Sequence, residues 1–211
     1  MDEEFWHGKW QGNQIAFHES EPNALLRKHF AALDVAPGGR VFVPLCGKSH
    51  DVGWLLAQGH PVVGAELSRL AIEQLFAGLG LTPTITTLGT LERFEAEKLI
   101  VYVGNIFDLD AATLGPVAAV YDRAALVALP AAMRDRYAAH LIHLTHAAPQ
   151  ILITFEYDPS LAIGPPFSVD AHEVRRHYGT AYRLAEAARE ETKGGVKGHP
   201  SHDCVWLMHR R

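Results

Sequence analysis

Apolar residues along the chain fall into two alternating patterns. Short runs rich in β-branched residues, each about one strand long, are followed by stretches in which apolar side chains recur at helical spacing. The first run, Arg40 to Leu45, follows the turn Pro37-Gly38-Gly39 and holds Val41, Phe42 and Val43 in succession. Uninterrupted apolar runs of this kind predict parallel strands buried on both faces. Ser49 then offers a helix N-cap, Val52, Leu55 and Leu56 share one face, and Gly59 predicts the stop. Pro61 to Ala65 predicts a second strand that ends at Glu66. Ser68 caps a further helix, whose Ile72, Leu75, Phe76 and Leu79 repeat at i, i+3, i+4 and i+7 before Gly80.

The alternation continues. Leu99 to Val103 reads as a strand running into Gly104-Asn105-Ile106-Phe107-Asp108, and Ala118 to Tyr121 as another running into Asp122-Arg123. Met133, Tyr137, Leu141 and Leu144 mark a helix face, and Gln150 to Phe155 the next strand. After the loop Gly164-Pro165-Pro166-Phe167 come a short helix around Val174 and Tyr178 and two last strands, Tyr182 to Ala188 and Cys204 to Met208. Thr82 to Glu95 has the weakest pattern and reads as a surface loop or an extra hairpin. The order of elements predicts an α/β chain built on a parallel sheet covered by helices. Its 211 residues suit one domain, with no repeat or linker.

Composition excludes several classes. Hydrophobic residues at 48% and charged residues at 20% supply an ordinary packed core and argue against disorder. The net charge is -5, and no block of Lys or Arg occurs beyond Arg210 and Arg211, so a nucleic-acid partner is not expected. Residues 1–10 are acidic and aromatic where an export signal needs a basic start and an apolar run, and no window reaches the roughly eighteen apolar residues of a membrane span. The two cysteines, Cys46 and Cys204, supply no disulfide framework, and a cytoplasmic, monomeric protein is the expectation.

In open parallel sheets ligands bind beyond the carboxyl ends of the strands, which draws attention to the first loop, Pro44-Leu45-Cys46-Gly47-Lys48-Ser49. Gly47 allows close approach of the backbone to a ligand. Glu66, at the end of the second strand, is placed to accept hydrogen bonds from both hydroxyls of a ribose. A phosphate-binding loop would need glycine at position 42, which is Phe42, and a dinucleotide site would need a glycine-rich turn that is missing here. A ligand with ribose and no pyrophosphate fits better. A plain tight turn followed by a capping carboxylate also accounts for this loop and Glu66 taken alone.

Further blocks narrow the choice. Phe5-Trp6-His7-Gly8-Lys9-Trp10, Ile15-Ala16-Phe17-His18, Val41 to Ser49, Gly59 to Ser68, Tyr121 to Leu129 and Gly164 to Phe167 occur in an order that resembles the thiopurine S-methyltransferase family from residue 5 to about 178. Pro44-Leu45-Cys46-Gly47-Lys48, in place of a glycine-rich loop, is the most specific mark. The resemblance implies a Rossmann-like class I methyltransferase fold, an α/β domain with a seven-stranded, mostly parallel sheet and helices on both faces. It implies a single domain over 1–211 with an N-terminal aromatic lid over about 1–35. It also implies S-adenosylmethionine as cofactor and transfer of its methyl group to the sulfur of a small aromatic or heterocyclic thiol. By similarity Trp10, Leu45, Glu66, Asn105, Ile106 and Arg123 bind the cofactor, Arg123 also serving catalysis, while Trp6 and Phe17 face the acceptor. A halide or thiocyanate acceptor, a selenium or tellurium species, or cofactor binding without catalysis are the alternatives.

On composition alone Trp6, Trp10 and Phe17 read equally well as core aromatics, and Asp122 as the residue that orients Arg123 and holds the next turn. Neither His140, His143 and His146 nor His199, His202, Asp203 and Cys204 has the spacing of a zinc site, so no metal is expected. Cys46 and Cys204 read as packing residues, and no general base is assigned. The glycine-rich stretch Lys193 to Pro200 reads as a mobile loop.

Overall fold

The computed structural model describes residues 3–211; residues 1 and 2, which open the N-terminal segment, lie outside the described residues. The described residues group into two compact units, 3–28 with Val35–Ala118, and His29–Asp34 with Ala119–Arg211.

The described residues open with helices α1 (Glu3–Gln11) and α2 (Ala24–His29). The first unit continues through β1 (Val41–Pro44), α3 (His50–Ala57), β2 (Val62–Glu66), α4 (Arg69–Gly78), β3 (Thr84–Leu88), β4 (Leu91–Ala96), β5 (Leu99–Val103) and α5 (Ala111–Leu114). Its strands lie in the order β3-β4-β5-β2-β1. The β1/β2 and β2/β5 pairs are parallel, with Val41 opposite Val62 and Glu66 opposite Val103. All residues of β1 and β2 are buried, as their unbroken apolar runs require. Ser49 caps α3 by accepting from the Asp51 N–H, and Ser68 caps α4 by accepting from the Ala71 N–H, the two caps read from the sequence. Ile72, Leu75 and Phe76 turn the buried face of α4 inward.

The weakly patterned Thr82 to Glu95 segment forms the antiparallel β3–β4 hairpin, and β4 pairs antiparallel with β5. All five residues of β3 are exposed, which explains the missing signal: a strand with neither face buried needs no alternation.

The second unit holds β6 (Ala119–Arg123), α6 (Ala131–Leu144), β7 (Gln150–Glu156), α7 (Ala171–Tyr178), β8 (Tyr182–Glu191) and β9 (His202–Arg210), with strand order β6-β7-β9-β8. The β6/β7 pair is parallel; β7/β9 and β8/β9 are antiparallel, with a register shift between Glu186 and Ala188. Tyr137, Leu141 and Leu144 form the buried face of α6. The described residues therefore carry nine strands where seven were expected, the additional pair being the β3–β4 hairpin.

The Lys193 to Pro200 stretch is folded rather than open. Thr192 N–H donates to the Ser201 carbonyl at 2.8 Å, Gly195 N–H to Thr192 at 2.9 Å, and Val196 and His199 bridge each other, closing the connection from β8 to β9. Among the described residues no helix is long and apolar enough to cross a membrane.

Candidate functional site

The loop after β1 is built on unusual backbone. Leu45 has φ of +48°, uncommon for a residue with a Cβ, and Gly47 has φ of +50°. Such conformations cost about 1–3 kcal/mol when a side chain is present and concentrate where function needs them. A Cβ on Gly47 would stand 3.0 Å from Cζ2 of Trp10, so glycine here answers both to the backbone and to the indole laid against it. Between them Cys46 points inward, its Sγ only 2.8 Å from where a Cβ on Gly64 would lie. Burial, with the Glu66 charge adding to it, pushes the Cys46 thiol well above its ordinary range, which makes it a packing residue and not a nucleophile.

Glu66 is the acidic centre of this unit, only 6% exposed at the end of β2. Its Oε2 accepts from the Gly47 N–H at 2.9 Å and its Oε1 from the Ser68 N–H at 2.8 Å. Burial raises its pKa, and backbone N–H groups, led by Ser68, pull it back. Each carboxylate oxygen keeps a lone pair for a further donor, so the pair is suited to two hydroxyls. Glu66 thus holds the turn, as the capping alternative has it, and keeps acceptor capacity left over.

The N-terminal aromatics come together as expected. Phe17 meets Trp6 edge-on at 5.9 Å and Trp10 at 5.5 Å between ring centroids. Trp10 is buried, whereas Phe17 remains 37% exposed, an apolar ring facing outward. Asn105 is committed locally: its Oδ1 accepts from the Phe107 N–H at 3.0 Å, capping the turn Ile106–Asp108, and its Nδ2 donates to Oε1 of Glu3 on α1 at 2.7 Å. Ile106 is buried beside it. A cavity of about 340 Å³ is lined by Leu67, Ser68, Leu70 and Val103, by the polar Arg69, Thr90 and Glu92, and by His7 and Gln11 of α1. The sequence reading passed over His7 and Gln11. Helical spacing would have found them, because they follow Trp6 and Trp10 by one position each and share that pair's i, i+4 relation.

In the second unit Arg123 ends β6, half-buried, and is followed by Ala124 with φ of +65°. Asp122 is fully buried; its Oδ2 accepts from the Tyr137 hydroxyl at 2.7 Å and its Oδ1 from the Leu126 N–H at 3.3 Å, so it holds the turn after Arg123. The Gly164 to Phe167 loop is tied to that same turn by Phe167 N–H donating to the Val127 carbonyl at 2.6 Å. Arg134 stacks over the Phe167 ring, donates to the Leu129 carbonyl at 2.8 Å and pairs with Glu173 at 2.7 Å. Lys197 donates to the Ile163 carbonyl, which joins the β8–β9 connection to this loop.

Residues 1–208 match the family described as thiopurine S-methyltransferase. The chain belongs to that family. It is 55% identical over 212 residues to the thiopurine S-methyltransferase of Xanthobacter autotrophicus, covering 100% of both chains. It is 49% identical to the thiopurine S-methyltransferase of Teredinibacter turnerae, over 100% of this chain and 98% of that one. Among solved structures it is similar to Burkholderia thailandensis 1,6-didemethyltoxoflavin-N1-methyltransferase, determined with S-adenosylhomocysteine, at 14% identity and TM-score 0.66 over 98% of this chain and 86% of that one. It is also similar to magnesium protoporphyrin IX methyltransferase from Synechocystis, at 16% identity and TM-score 0.57 over 99% and 100% of the two chains. Those likenesses show the class I methyltransferase fold. As a member of the thiopurine S-methyltransferase family the chain is an S-adenosylmethionine-dependent methyltransferase with sulfur-directed chemistry. The first unit fits that cofactor at one point: Glu66 offers a desolvated carboxylate with acceptor capacity to spare at the end of β2, immediately before the Leu67 and Ser68 that line the cavity, while Gly47 gives the Trp10 indole room to lie against the loop.

Proposed function

We propose that the chain acts as one methyltransferase domain that methylates the sulfur of small aromatic or heterocyclic thiols, thiopurines among them. The observation that carries the cofactor half of this reading is the buried Glu66 carboxylate, held by the Gly47 and Ser68 N–H groups two residues before a side chain, Ser68, that lines the cavity. In this reading Glu66 holds the ribose hydroxyls, Trp10 and Leu45 cover the cofactor, and the 105–106 segment meets the adenine through the backbone and the Ile106 side chain. S-adenosylmethionine, when bound, supplies a methyl group already activated by sulfonium charge. What remains for the protein is to hold a nucleophile in line and keep water out, and proximity of this kind is a large lever. Trp6 and Phe17 offer an edge-on aromatic pair against which a flat acceptor rests, and the exposed face of Phe17 is open to it. Arg123 is assigned electrostatic stabilisation of the thiolate. Aromatic thiols lose their proton readily, so no protein base is assigned, and the buried Cys46 takes no part.

The test is acceptor profiling with labelled cofactor across aryl thiols, thiopurines, iodide and selenite. Preferential labelling of the aryl thiols supports the proposal. Preferential turnover of iodide or selenite replaces the acceptor class, and cofactor binding without turnover of any acceptor overturns the catalytic reading.

A further inference from the structure

The polar side chains that line the cavity after Glu66 are nearly all hydrogen-bonded or ion-paired already. Arg69 is held by Glu73 at 2.8 Å and also by Glu92. Thr90 donates its hydroxyl to Oδ2 of Asp108 at 2.8 Å, and the Ser68 hydroxyl accepts from the Ala71 N–H at 3.3 Å. His7 and Gln11 differ: both border the cavity, and neither side chain has a hydrogen-bond partner among the described residues.

We propose that His7 and Gln11 read the hydrogen-bonding edge of the cofactor's adenine. The inference rests on the ribose role of Glu66. A nucleoside whose ribose meets Glu66 carries its base one bond away, and the two residues that follow Glu66 in the chain line the cavity. Leu67, Leu70 and Val103 supply apolar contact for the faces of a flat base but no hydrogen bonds to its edge. Asn105, the nearby carboxamide that the sequence singles out, is spent on its own turn and on Glu3. An adenine edge places an amino donor beside ring-nitrogen acceptors, and a glutamine carboxamide matches such a pair with one acceptor and one donor; a neutral imidazole likewise carries one of each.

Helix α1 thus presents two neighbouring i, i+4 rows. Trp10, in one, packs against Gly47 and, with Trp6, against Phe17, while His7 and Gln11, in the other, border the cavity. Docking of α1 and recognition of the base are then one event, with the Asn105–Glu3 hydrogen bond tying α1 to the turn after β5.

Calorimetry with S-adenosylhomocysteine and its 6-deamino analogue, which lacks the amino group, tests this without turnover. The wild-type chain is expected to prefer S-adenosylhomocysteine by about tenfold, the equivalent of one good hydrogen bond. The His7→Ala/Gln11→Ala double variant is expected to lose most of that preference, weakening the amino ligand more than the analogue, which forfeits only the ring-nitrogen contact. Glu66→Ala is expected to weaken both ligands alike and keep the ratio. No preference in the wild type, or an unchanged ratio in the double variant, overturns base reading by α1. Unchanged binding in Glu66→Ala instead removes the ribose assignment on which it rests.

Discussion

Tyr137 donates its hydroxyl to Oδ2 of Asp122 at 2.7 Å, and both residues are buried beneath the turn that follows Arg123. Burial outweighs the hydrogen bonds and pushes the Asp122 carboxyl from the ordinary aspartate value of 3.8 up to about 6. Below the unfolded value both states hold the proton and folding loses nothing. As pH rises toward 6 the unfolded chain releases its proton first, so stability falls and the loss is complete above the folded pKa. Two pKa units correspond to about 3 kcal/mol. Asp122→Asn removes the titration. Urea denaturation between pH 4 and 7 should therefore show the wild type losing up to about 3 kcal/mol relative to the variant. Parallel pH profiles for the two proteins are the result that contradicts the assignment.

Two glycines give opposite expectations for the same substitution. Gly47→Ala must place a Cβ 3.0 Å from the Trp10 indole at a φ of +50°, so the helix and the loop cannot both keep their positions. The strain of a left-handed alanine is about 1–2 kcal/mol, and S-adenosylhomocysteine affinity should drop by about tenfold or more as Trp10 is displaced. Gly8 lies inside α1 with nothing within 4 Å of its added Cβ. Gly8→Ala should raise stability by up to about 1 kcal/mol through helix propensity alone. Thermal unfolding and calorimetry on the pair separate a loop effect from a general response to added methyl groups.

Arg134 and Glu173 form a shielded ion pair, with side chains 7% and 17% exposed, that links α6 to α7. Arg134→Met leaves the Glu173 carboxylate under-compensated, with His177 at 3.1 Å and Arg176 at 3.6 Å beside it, and removes the donor from the Leu129 carbonyl, which should cost about 3 kcal/mol, the lower end for breaking a buried pair. The double variant Arg134→Met/Glu173→Leu should recover part of that loss, since the uncompensated charge has gone. Equal stability of the single and double variants in denaturant titrations would show that the charge is not what the arginine answers.

Much of this was legible in the chain. The β1 and β2 runs, the Ser49 and Ser68 caps and the Glu66 position followed from local rules, because buried parallel strands and capped helices leave signals within a few residues of themselves. The β3–β4 hairpin was legible only as one of two alternatives, a loop or an extra hairpin, since an edge strand exposed on every residue carries no burial pattern. The folded Lys193 to Pro200 connection was missed for a related reason. Its glycines suggest freedom, while its closure depends on Thr192 meeting Ser201 across the hairpin, a pairing that only the β8–β9 register creates. At the site, Trp6, Trp10 and Phe17 could be gathered by resemblance, but commitment of Asn105 to Glu3 joins residues 102 positions apart and leaves no local trace.

The same distinction between a carboxylate that caps and one that binds gives the last expectation. Both backbone donors at Glu66, from Gly47 and Ser68, need an acceptor. A glutamine has one oxygen, so Glu66→Gln turns its NH2 toward one of those N–H groups, donor against donor. Hydrogen bonds to a charged group contribute about 1.5–3 kcal/mol each, and S-adenosylhomocysteine affinity should fall correspondingly, by about tenfold or more. The wild type carries a second signature. Burial raises the Glu66 pKa, and the ionised form is the one with lone pairs free for two hydroxyls, so affinity should weaken as acidification protonates it. The variant has no group to titrate there, and its affinity should be flat over the same range. Calorimetry from neutral pH down through the ordinary carboxylate range on both proteins decides the matter: a wild-type affinity that ignores acidification and matches that of Glu66→Gln would leave Glu66 a loop cap only.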